Sequence, residues 1–238
     1  MPYCVVIPAA GLGTRMGAPV PKVLLVPSGG DAVKSFTILQ VTVEVFAADS
    51  ECARVVVCAP GEWRSRFAEE LSELRQVVVI EGGRTRQESV LRGMETLEQE
   101  GLAGHGSVVL VHDAARCCIT GEVVDRVVAG AISHGAVTAA VPIVDSLCRA
   151  ANGALSGYIE RDGMWAIQTP QGFLAAELLE AHRAAVRDGV EALDDAALVA
   201  RRRAIHLVQG DRLNIKVTQP DDLKVAALIL SSRRSHGD

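Results

Sequence analysis

A short strand that runs directly into a glycine-containing loop is the feature that constrains this chain most. Residues 3–7, YCVVI, form an apolar run of strand length that is rich in β-branched side chains. Residues 8–16, PAAGLGTRM, follow at once, and the two glycines let the backbone turn tightly with its amides uncovered. Such amides suit phosphate oxygens, and Arg15 and Lys22 add two positive charges close by. The pattern favours a loop that binds a polyphosphate.

Three interpretations of this loop stay open on the residues alone. The first is a strand-to-helix turn in which the glycines only relieve steric crowding. The second is a dinucleotide-binding turn, but Gly11, Gly13 and Gly17 give the spacing G-x-G-x-x-x-G instead of G-x-G-x-x-G. The third is a triphosphate cradle, which the charges of Arg15 and Lys22 favour, although the G-K-[ST] ending of a Walker loop is absent.

The composition indicates an aliphatic, soluble protein. Its 238 residues are enough for one large domain, which we expect to span residues 1–238. Aromatic residues make up only 3%, so the core must be built from Ala, Val, Leu and Ile, as in buried parallel sheets. The net charge of −5 argues against nucleic-acid or membrane partners, and no apolar run approaches the ~20 residues of a spanning helix. We expect a cytoplasmic protein whose six cysteines stay reduced.

Predicted strands and helices alternate along most of the chain. Beyond the first strand, the predicted strands are residues 54–59, 76–80, 107–112, 136–142 and 205–208. The predicted helices are residues 31–47, 62–74, 89–98, 122–134, 174–187 and 195–202, with a last one after Pro220 and a frayed tail from residue 233. This alternation predicts an α/β fold with a Rossmann-like, mostly parallel sheet and helices on both faces. Ligands bind such sheets beyond the carboxyl ends of the strands, where the glycine loop, Gly83 and Asp113 would meet.

The alternation breaks between residues 144 and 167. Asn152-Gly153 and Asp162-Gly163 are hairpin turn signals, and residues 146–149 and 157–160 can pair across the first turn. We therefore predict an inserted β-arm over about residues 144–167. Two strands alone are marginal in water, so an exposed arm needs a surface to pack against, and a symmetric partner arm is the economical one.

Five segments occur in a fixed order that carries further information. They are A-A-G-x-G-x-R-M followed by P-K within residues 9–22, GGRTRQESV at 82–90, VHDAAR at 111–116, TPQ at 169–171 and NIKVT at 214–218. Together they resemble the 2-C-methyl-D-erythritol 4-phosphate cytidylyltransferases, a family of sugar-phosphate nucleotidylyltransferases of the non-mevalonate isoprenoid pathway. The resemblance covers about residues 3–230. It implies transfer of CMP from CTP to a polyol phosphate with release of pyrophosphate.

The resemblance also implies roles for the matching residues. The catalytic residues would be Arg15 and Lys22, which stabilise the transition state, and Arg161 and Lys216, which position the substrate phosphate. The nucleotide would be bound by Ala9, Ala10, Gly11, Leu12, Gly13, Gly83, Arg86, Ser89 and Asp113. The polyol phosphate would be bound by Asp113, Arg116, Ser146, Arg161, Thr169 and Lys216.

A metal ion and a second subunit complete this expectation. Asp113 is the expected ligand of Mg²⁺ or another divalent cation, because magnesium on nucleotide phosphates commonly needs only one or two carboxylates. The resemblance further implies a homodimer formed through the β-arm, in which Arg161 and Ser146 reach the partner's pocket.

Several alternatives accompany the resemblance. Ribitol 5-phosphate or another polyol phosphate is the nearest alternative substrate, since Leu193 stands where the family commonly has threonine. A nucleotide-binding module without catalysis and a dinucleotide oxidoreductase are the alternatives from other classes. We interpret Asp194 and Asp195 as an N-cap pair, and His112 and His206 as packing residues.

Overall fold

The computed structural model of this chain describes residues 1–11, 17–27 and 36–234. Leu12, Gly13 and Arg15 of the glycine loop lie outside these residues, as do the predicted start of a helix at Asp31 and the tail after residue 234. The strands are β1 (Tyr3–Pro8), β2 (Cys52–Ala59), β3 (Val77–Glu81), β4 (Val108–Val111), β5 (Ala136–Pro142), β6 (Leu147–Ala151), β7 (Ala154–Ile159), β8 (Trp165–Leu174) and β9 (His206–Gln209). The α-helices are α1 (Ile38–Ala47), α2 (Arg64–Glu70), α3 (Arg86–Gln99), α4 (Gly121–His134), α5 (Ala175–Asp188), α6 (Asp195–Val199) and α7 (Pro220–Arg234).

Within the described residues, the main sheet has seven strands in the order β3-β2-β1-β4-β8-β5-β9. All neighbouring strands run parallel except for the two pairs that β8 makes with β4 and β5. The predicted mostly parallel sheet is therefore confirmed. The parallel strands end at one edge, which gathers the loops after β1, β3 and β4.

Helices pack on both faces of this sheet, also as predicted. Alternate side chains of β1 enter two different cores, with Val5 and Ile7 on one face and Cys4 and Val6 on the other. Helix α3 approaches β1 closely at Gly93, where a Cβ would lie 2.5 Å from Cγ1 of Val6. Almost all of the buried core is aliphatic, as the low aromatic content requires.

Strand β8 was missing from the sequence prediction. It runs antiparallel in the middle of the sheet and contains Pro170, which argues against a central strand because proline cannot donate a ladder hydrogen bond. Its polar residues Gln168, Thr169 and Gln171 are buried, so the strand lacks the apolar run that marked the others. Because β8 is antiparallel, its first half lies at the edge where the parallel strands end.

Several helix boundaries also differ from the prediction. Helix α1 begins at Ile38 after Thr37, whose side chain forms a capping box with Gln40. Helix α2 is shorter than predicted at both ends, because residues 61–63 form a 3₁₀ turn before it and residues 71–73 form a turn after it. Helix α7 includes Arg233 and Arg234, the first two residues of the predicted frayed tail. The guanidinium of Arg233 donates to the carbonyl oxygen of Cys118 and to the Asp211 carboxylate.

The predicted β-arm is confirmed. Strands β6 and β7 pair antiparallel, with Leu147 opposite Ile159, and form a small sheet of their own. Asn152 and Gly153 both have positive φ, at 51° and 77°, as a two-residue hairpin turn requires. Leu155 and Tyr158 are 55% and 78% exposed, so the arm presents apolar surface to solvent.

No helix in the described ranges is both long and apolar enough to span a bilayer.

Candidate active site

Two neighbouring clefts open at the edge where the parallel strands end. The first, of about 220 Å³, is lined by the loops that follow β1, β3 and β4, and by Lys22 and Lys216. It brings together the predicted nucleotide-binding residues that the structure describes, namely Ala9, Ala10, Gly11, Gly83, Arg86, Ser89 and Asp113. The prediction that these loops share one pocket is thus supported by the geometry.

The second cleft, of about 190 Å³, lies beside the first and shares Arg86, Asp113 and Lys216 with it. Arg116 and Thr169, both predicted to bind the polyol phosphate, line only this second cleft. Most of its lining is polar or charged. Ile167 and Leu193 are the exceptions among the described lining residues, and they are 50% and 97% exposed.

An ion-paired cluster forms the boundary between the clefts. The Asp113 carboxylate accepts from Nε of Arg86 at 3.1 Å and from Nζ of Lys216 at 2.7 Å. Burial opposes ionisation of Asp113, but the charges of Arg86 and Lys216 outweigh it and hold its pKa well below the usual range. The cluster therefore keeps an ionised carboxylate between two cations at neutral pH.

Arg86 connects this cluster to the protein interior. Its second nitrogen donates to Oδ2 of Asp195 at 2.6 Å, and Oδ1 of Asp195 lies 2.9 Å from Nε2 of His182. Burial opposes ionisation of Asp195 too, and the contacts with His182 and Arg86 lower its pKa in spite of it. The N-cap interpretation is right for Asp194, which accepts from the Ala197 amide, and wrong for Asp195, which is buried in this ion pair.

The loop after β3 is held in shape by Ser89. The buried Ser89 hydroxyl donates to the carbonyl oxygen of Thr85 at 2.8 Å and accepts from the Gly83 amide at 3.0 Å. Thr85 caps helix α3 through its side chain, so the positive end of that helix lines the first cleft. Ser89 thus braces the loop, while Arg84 next to it is almost fully exposed.

Lys22 enters the first cleft from the other side. It begins a 3₁₀ turn, and its Nζ donates to the carbonyl oxygen of Val217 at 2.9 Å. This bond holds Lys22 close to the segment that carries Lys216. Backbone amides of Thr218 and Gln219, with the charge of Lys22 as a smaller cause, lower the pKa of Asp222.

Thr169 hydrogen-bonds to the backbone of Asp113, and His112 in turn contacts Thr169. The Thr169 hydroxyl accepts from the Asp113 amide at 3.0 Å and lies 3.2 Å from Nδ1 of His112. Burial lowers the pKa of His112 to about 4, so this ring is neutral at pH 7. Its Nε2 donates to the carbonyl oxygen of Arg116 at 3.3 Å, so Nδ1 is the acceptor for the Thr169 hydroxyl. His112 is therefore a buried packing residue that also orients Thr169, as expected. His206, the other predicted packing residue, stacks on His134 with a distance of 4.1 Å between the ring centroids.

The predicted arm residues lie apart from the two clefts. Ser146 and Arg161 are exposed and line neither cleft of their own chain. The Arg161 guanidinium donates instead to the carbonyl oxygen of Val144 at the base of the arm. Their contribution to a partner's pocket stays a prediction.

Comparisons with known proteins agree with the geometry. The family profile described as IspD, 2-C-methyl-D-erythritol 4-phosphate cytidylyltransferase, matches residues 3–232. Proteins of that name from Bacillus pumilus and Neisseria meningitidis are 38% and 37% identical, over 99% and 95% of this chain and 100% and 96% of theirs. The crystal structure of the Thermus thermophilus protein of that name is 37% identical, with a TM-score of 0.78 over 98% of this chain and 100% of that one. The chain belongs to the 2-C-methyl-D-erythritol 4-phosphate cytidylyltransferase family.

Proposed function

We propose that this chain transfers the CMP group of CTP to 2-C-methyl-D-erythritol 4-phosphate and releases pyrophosphate, a step of isoprenoid precursor biosynthesis. One observation carries the proposal beyond family membership: two clefts share the ion-paired residues Arg86, Asp113 and Lys216. CTP would occupy the first cleft and the polyol phosphate the second. The two anionic substrates would then meet over a cluster that contains two cations and one carboxylate.

The charges around the clefts support in-line transfer of the cytidylyl group, by attack at the α-phosphorus of CTP. A phosphate oxygen of the polyol phosphate forms a bond to the α-phosphorus of CTP, and the bond from that phosphorus to the β-phosphate oxygen breaks. Four negative charges on CTP repel the incoming phosphate, so positioning and neutralisation of charge are the main tasks of the protein. Lys22 and Lys216 line the first cleft and Arg116 lines the second, which gives cations on both sides of the reaction.

The leaving pyrophosphate needs its own stabilisation. Lys22 and the amino end of α3 offer charge-assisted hydrogen bonds in the first cleft. Arg15, which lies outside the described residues, is assigned the same task through its match to the family motif. The backbone of Ala10, Gly11 and Gly83 would read the cytosine and the ribose, since small residues leave backbone groups accessible to a ligand.

A magnesium ion or another divalent cation fits this site as a companion of CTP. Asp113 lines both clefts, and each of its oxygens keeps a lone pair beyond the ones that Arg86 and Lys216 use. One protein carboxylate is enough for an ion carried by nucleotide phosphates. In the described part of the chain, no group of three or more His, Cys, Asp or Glu side chains could hold a metal. Asp113 would thus be the protein ligand of an ion that neutralises phosphate charge.

The β-arm supports a homodimeric assembly. Leu155 and Tyr158 expose apolar surface on a hairpin that stands apart from the main sheet, and a two-fold partner would cover it. Arg161 and Ser146 would complete the second cleft of the partner subunit. The net charge of −5 argues against nucleic acid or a membrane as partners, which leaves small anions and a second copy. The six free cysteines support a cytoplasmic location, and the length of 238 residues supports a single domain.

A pyrophosphate-release assay tests the function. Purified protein with CTP, magnesium and 2-C-methyl-D-erythritol 4-phosphate should release pyrophosphate and form the cytidine diphosphate conjugate, identified by its mass. ATP, GTP and UTP in place of CTP, and ribitol 5-phosphate in place of the branched substrate, should react more slowly. Binding of CTP without turnover on any polyol phosphate would favour the non-catalytic module. Binding of NAD(P)H in place of CTP would restore the dinucleotide interpretation.

A further inference from the structure

His182 is a buried histidine that the two clefts do not contact. It lies on α5 with no exposed surface, among apolar residues such as Leu178 and Leu179. Its Nε2 lies 2.9 Å from Oδ1 of Asp195, while its Nδ1 has no hydrogen-bond partner among the described residues. Because a buried polar side chain is normally hydrogen-bonded, the role of His182 is to be sought in its one partner, Asp195.

The hydrogen-bond pattern assigns the proton of His182. Asp195 is ionised, so Oδ1 can only accept, and Nε2 of His182 must be the donor. An N–H at the unpartnered Nδ1 would be a buried donor without an acceptor, which is more costly than a bare ring nitrogen. We therefore place the ring proton on Nε2, from which it is donated to Asp195.

From His182, a continuous series of polar contacts leads to the reaction site. Nε2 of His182 donates to Asp195, Arg86 donates from one nitrogen to Asp195 and from another to Asp113, and Lys216 donates to Asp113. The four contacts measure 2.9, 2.6, 3.1 and 2.7 Å in that order. Among the described residues, each of the four carboxylate oxygens of Asp113 and Asp195 accepts from one donor.

We infer that His182 is a positioning residue of the active site, which fixes Asp195 so that Arg86 divides its two donor groups between Asp195 and Asp113. This inference rests on the proposed function, because it assigns a use to Asp113 at the boundary of the clefts. Without the donor on His182, Oδ1 of Asp195 is a buried oxygen without a partner. Arg86 would then turn to pair with both oxygens of Asp195, and Asp113 would lose one of its two cations.

Two substitutions separate the hydrogen bond from the packing. His182→Leu keeps most of the volume and removes the donor, whereas His182→Gln keeps an amide N–H near the position of Nε2. Leu179→Ala, on the same buried face of α5, is the matched control for lost packing. If the leucine variant fails to fold, His182→Asn replaces it, because the shorter amide falls short of Asp195.

The first readout does not depend on catalysis. In ¹⁵N-arginine-labelled protein, the Nε–H of Arg86, assigned with Arg86→Lys, should exchange slowly with solvent. His182→Leu should speed this exchange by about tenfold or more, the equivalent of one net hydrogen bond, and His182→Gln should restore it to within about threefold. Leu179→Ala should lower the melting temperature and leave the exchange unchanged.

The second readout is kinetic. His182→Leu should lower kcat by about tenfold with a smaller change in KM for CTP, and His182→Gln should recover most of kcat. Unchanged exchange in His182→Leu, or the same acceleration in Leu179→Ala, would overturn the inference. If the wild-type protein transfers no cytidylyl group, the proposed function fails, and the exchange measurement still decides whether His182 positions Arg86.

Discussion

Gly82 packs directly against Ala10: a Cβ on Gly82 would lie 2.7 Å from the Cβ of Ala10. This contact joins the loop after β3 to the loop after β1, and both loops line the first cleft. The hydroxyl oxygen of Ser89 would also lie only 3.0 Å from that Cβ. The width of the first cleft therefore depends on a glycine that does not itself line it.

Gly82→Ala should widen the first cleft and weaken CTP binding. The added methyl group forces the two loops apart, an overpacking that commonly costs about 1–3 kcal/mol, and the Kd for CTP should rise by about tenfold or more. Isothermal titration with CTP measures the effect. Gly121→Ala is the control, because a Cβ there meets no atom within 4 Å. Wild-type affinity in Gly82→Ala would mean that the loops move apart without cost.

Lys22→Ala should lower kcat without unfolding the protein. Loss of a preorganised charged donor costs about 3 kcal/mol of transition-state stabilisation, which corresponds to a rate reduction of more than a hundredfold. Steady-state kinetics and a melting curve measure the two quantities. Lys224→Ala, which removes an exposed lysine paired with Asp221 on α7, is the control. Near-normal turnover of Lys22→Ala would remove this lysine from the mechanism.

Removal of metal should abolish turnover, and Asp113 should set the metal requirement. EDTA should stop pyrophosphate release and added magnesium should restore it. Asp113→Asn keeps the shape of the side chain but removes its charge, so the magnesium concentration for half-maximal rate should rise. A magnesium titration of both proteins measures this. An identical requirement would leave Asp113 as the partner of Arg86 and Lys216 only.

Leu193→Ala should weaken discrimination between branched and unbranched polyol phosphates, because it removes an apolar side chain from the second cleft. Leu193 and Ile167 are exposed apolar side chains in an otherwise polar second cleft, and the methyl branch is the apolar group of the proposed substrate. One methyl group in an apolar contact changes the free energy of substrate discrimination by about 1–3 kcal/mol. Because Leu193 is highly exposed, we expect an effect near the lower end of this range. The ratio of kcat/KM for the branched substrate to that for the unbranched one should fall several-fold. Leu228→Ala, an exposed change on α7, should leave this ratio unchanged.

Mixed dimers should recover activity if the arm completes the partner's site. Arg161→Ala and Lys22→Ala should each be nearly inactive as homodimers. A mixed dimer would carry one site with both changes and one with neither, so it should regain up to about half of the wild-type activity by two-fold symmetry. Differently tagged subunits allow its purification. Inactive mixed dimers, or a fully active monomer, would contradict the shared site.

The parallel part of the sheet could be predicted because its signals are local. Strand β2 and strand β5 are short aliphatic runs, and helix α4 ends at Gly135 with the positive φ that its sequence position suggests. Strand β8 carries no such signal. Gln171 is buried only because its amide donates to Thr138 and Asp194 and accepts from Ala196, and these partners are set by the fold.

Only those residues of the candidate site that belong to known sequence motifs could be predicted from the sequence. Asp113 and Lys216 are 103 residues apart, and their 2.7 Å contact follows from the order of known segments, since no local pattern indicates it. His182 and Asp195 were missed for the same reason. His182 appears as one polar residue on the apolar face of α5, and Asp195 looks like part of a helix cap. Their contact becomes visible only when α5 and α6 are placed together.

The reversed direction of β8 lets the β-arm leave the main sheet without interrupting it. Pro142 at the end of β5 lies opposite Trp165 at the start of β8, so the chain leaves and re-enters the sheet at adjacent positions. Residues 143–164 therefore form a closed excursion, which begins with a backbone hydrogen bond from Ile143 to Met164. A short hairpin turn could replace the whole excursion and leave the sheet register intact. The length of the arm can therefore change without a change in the register of the sheet.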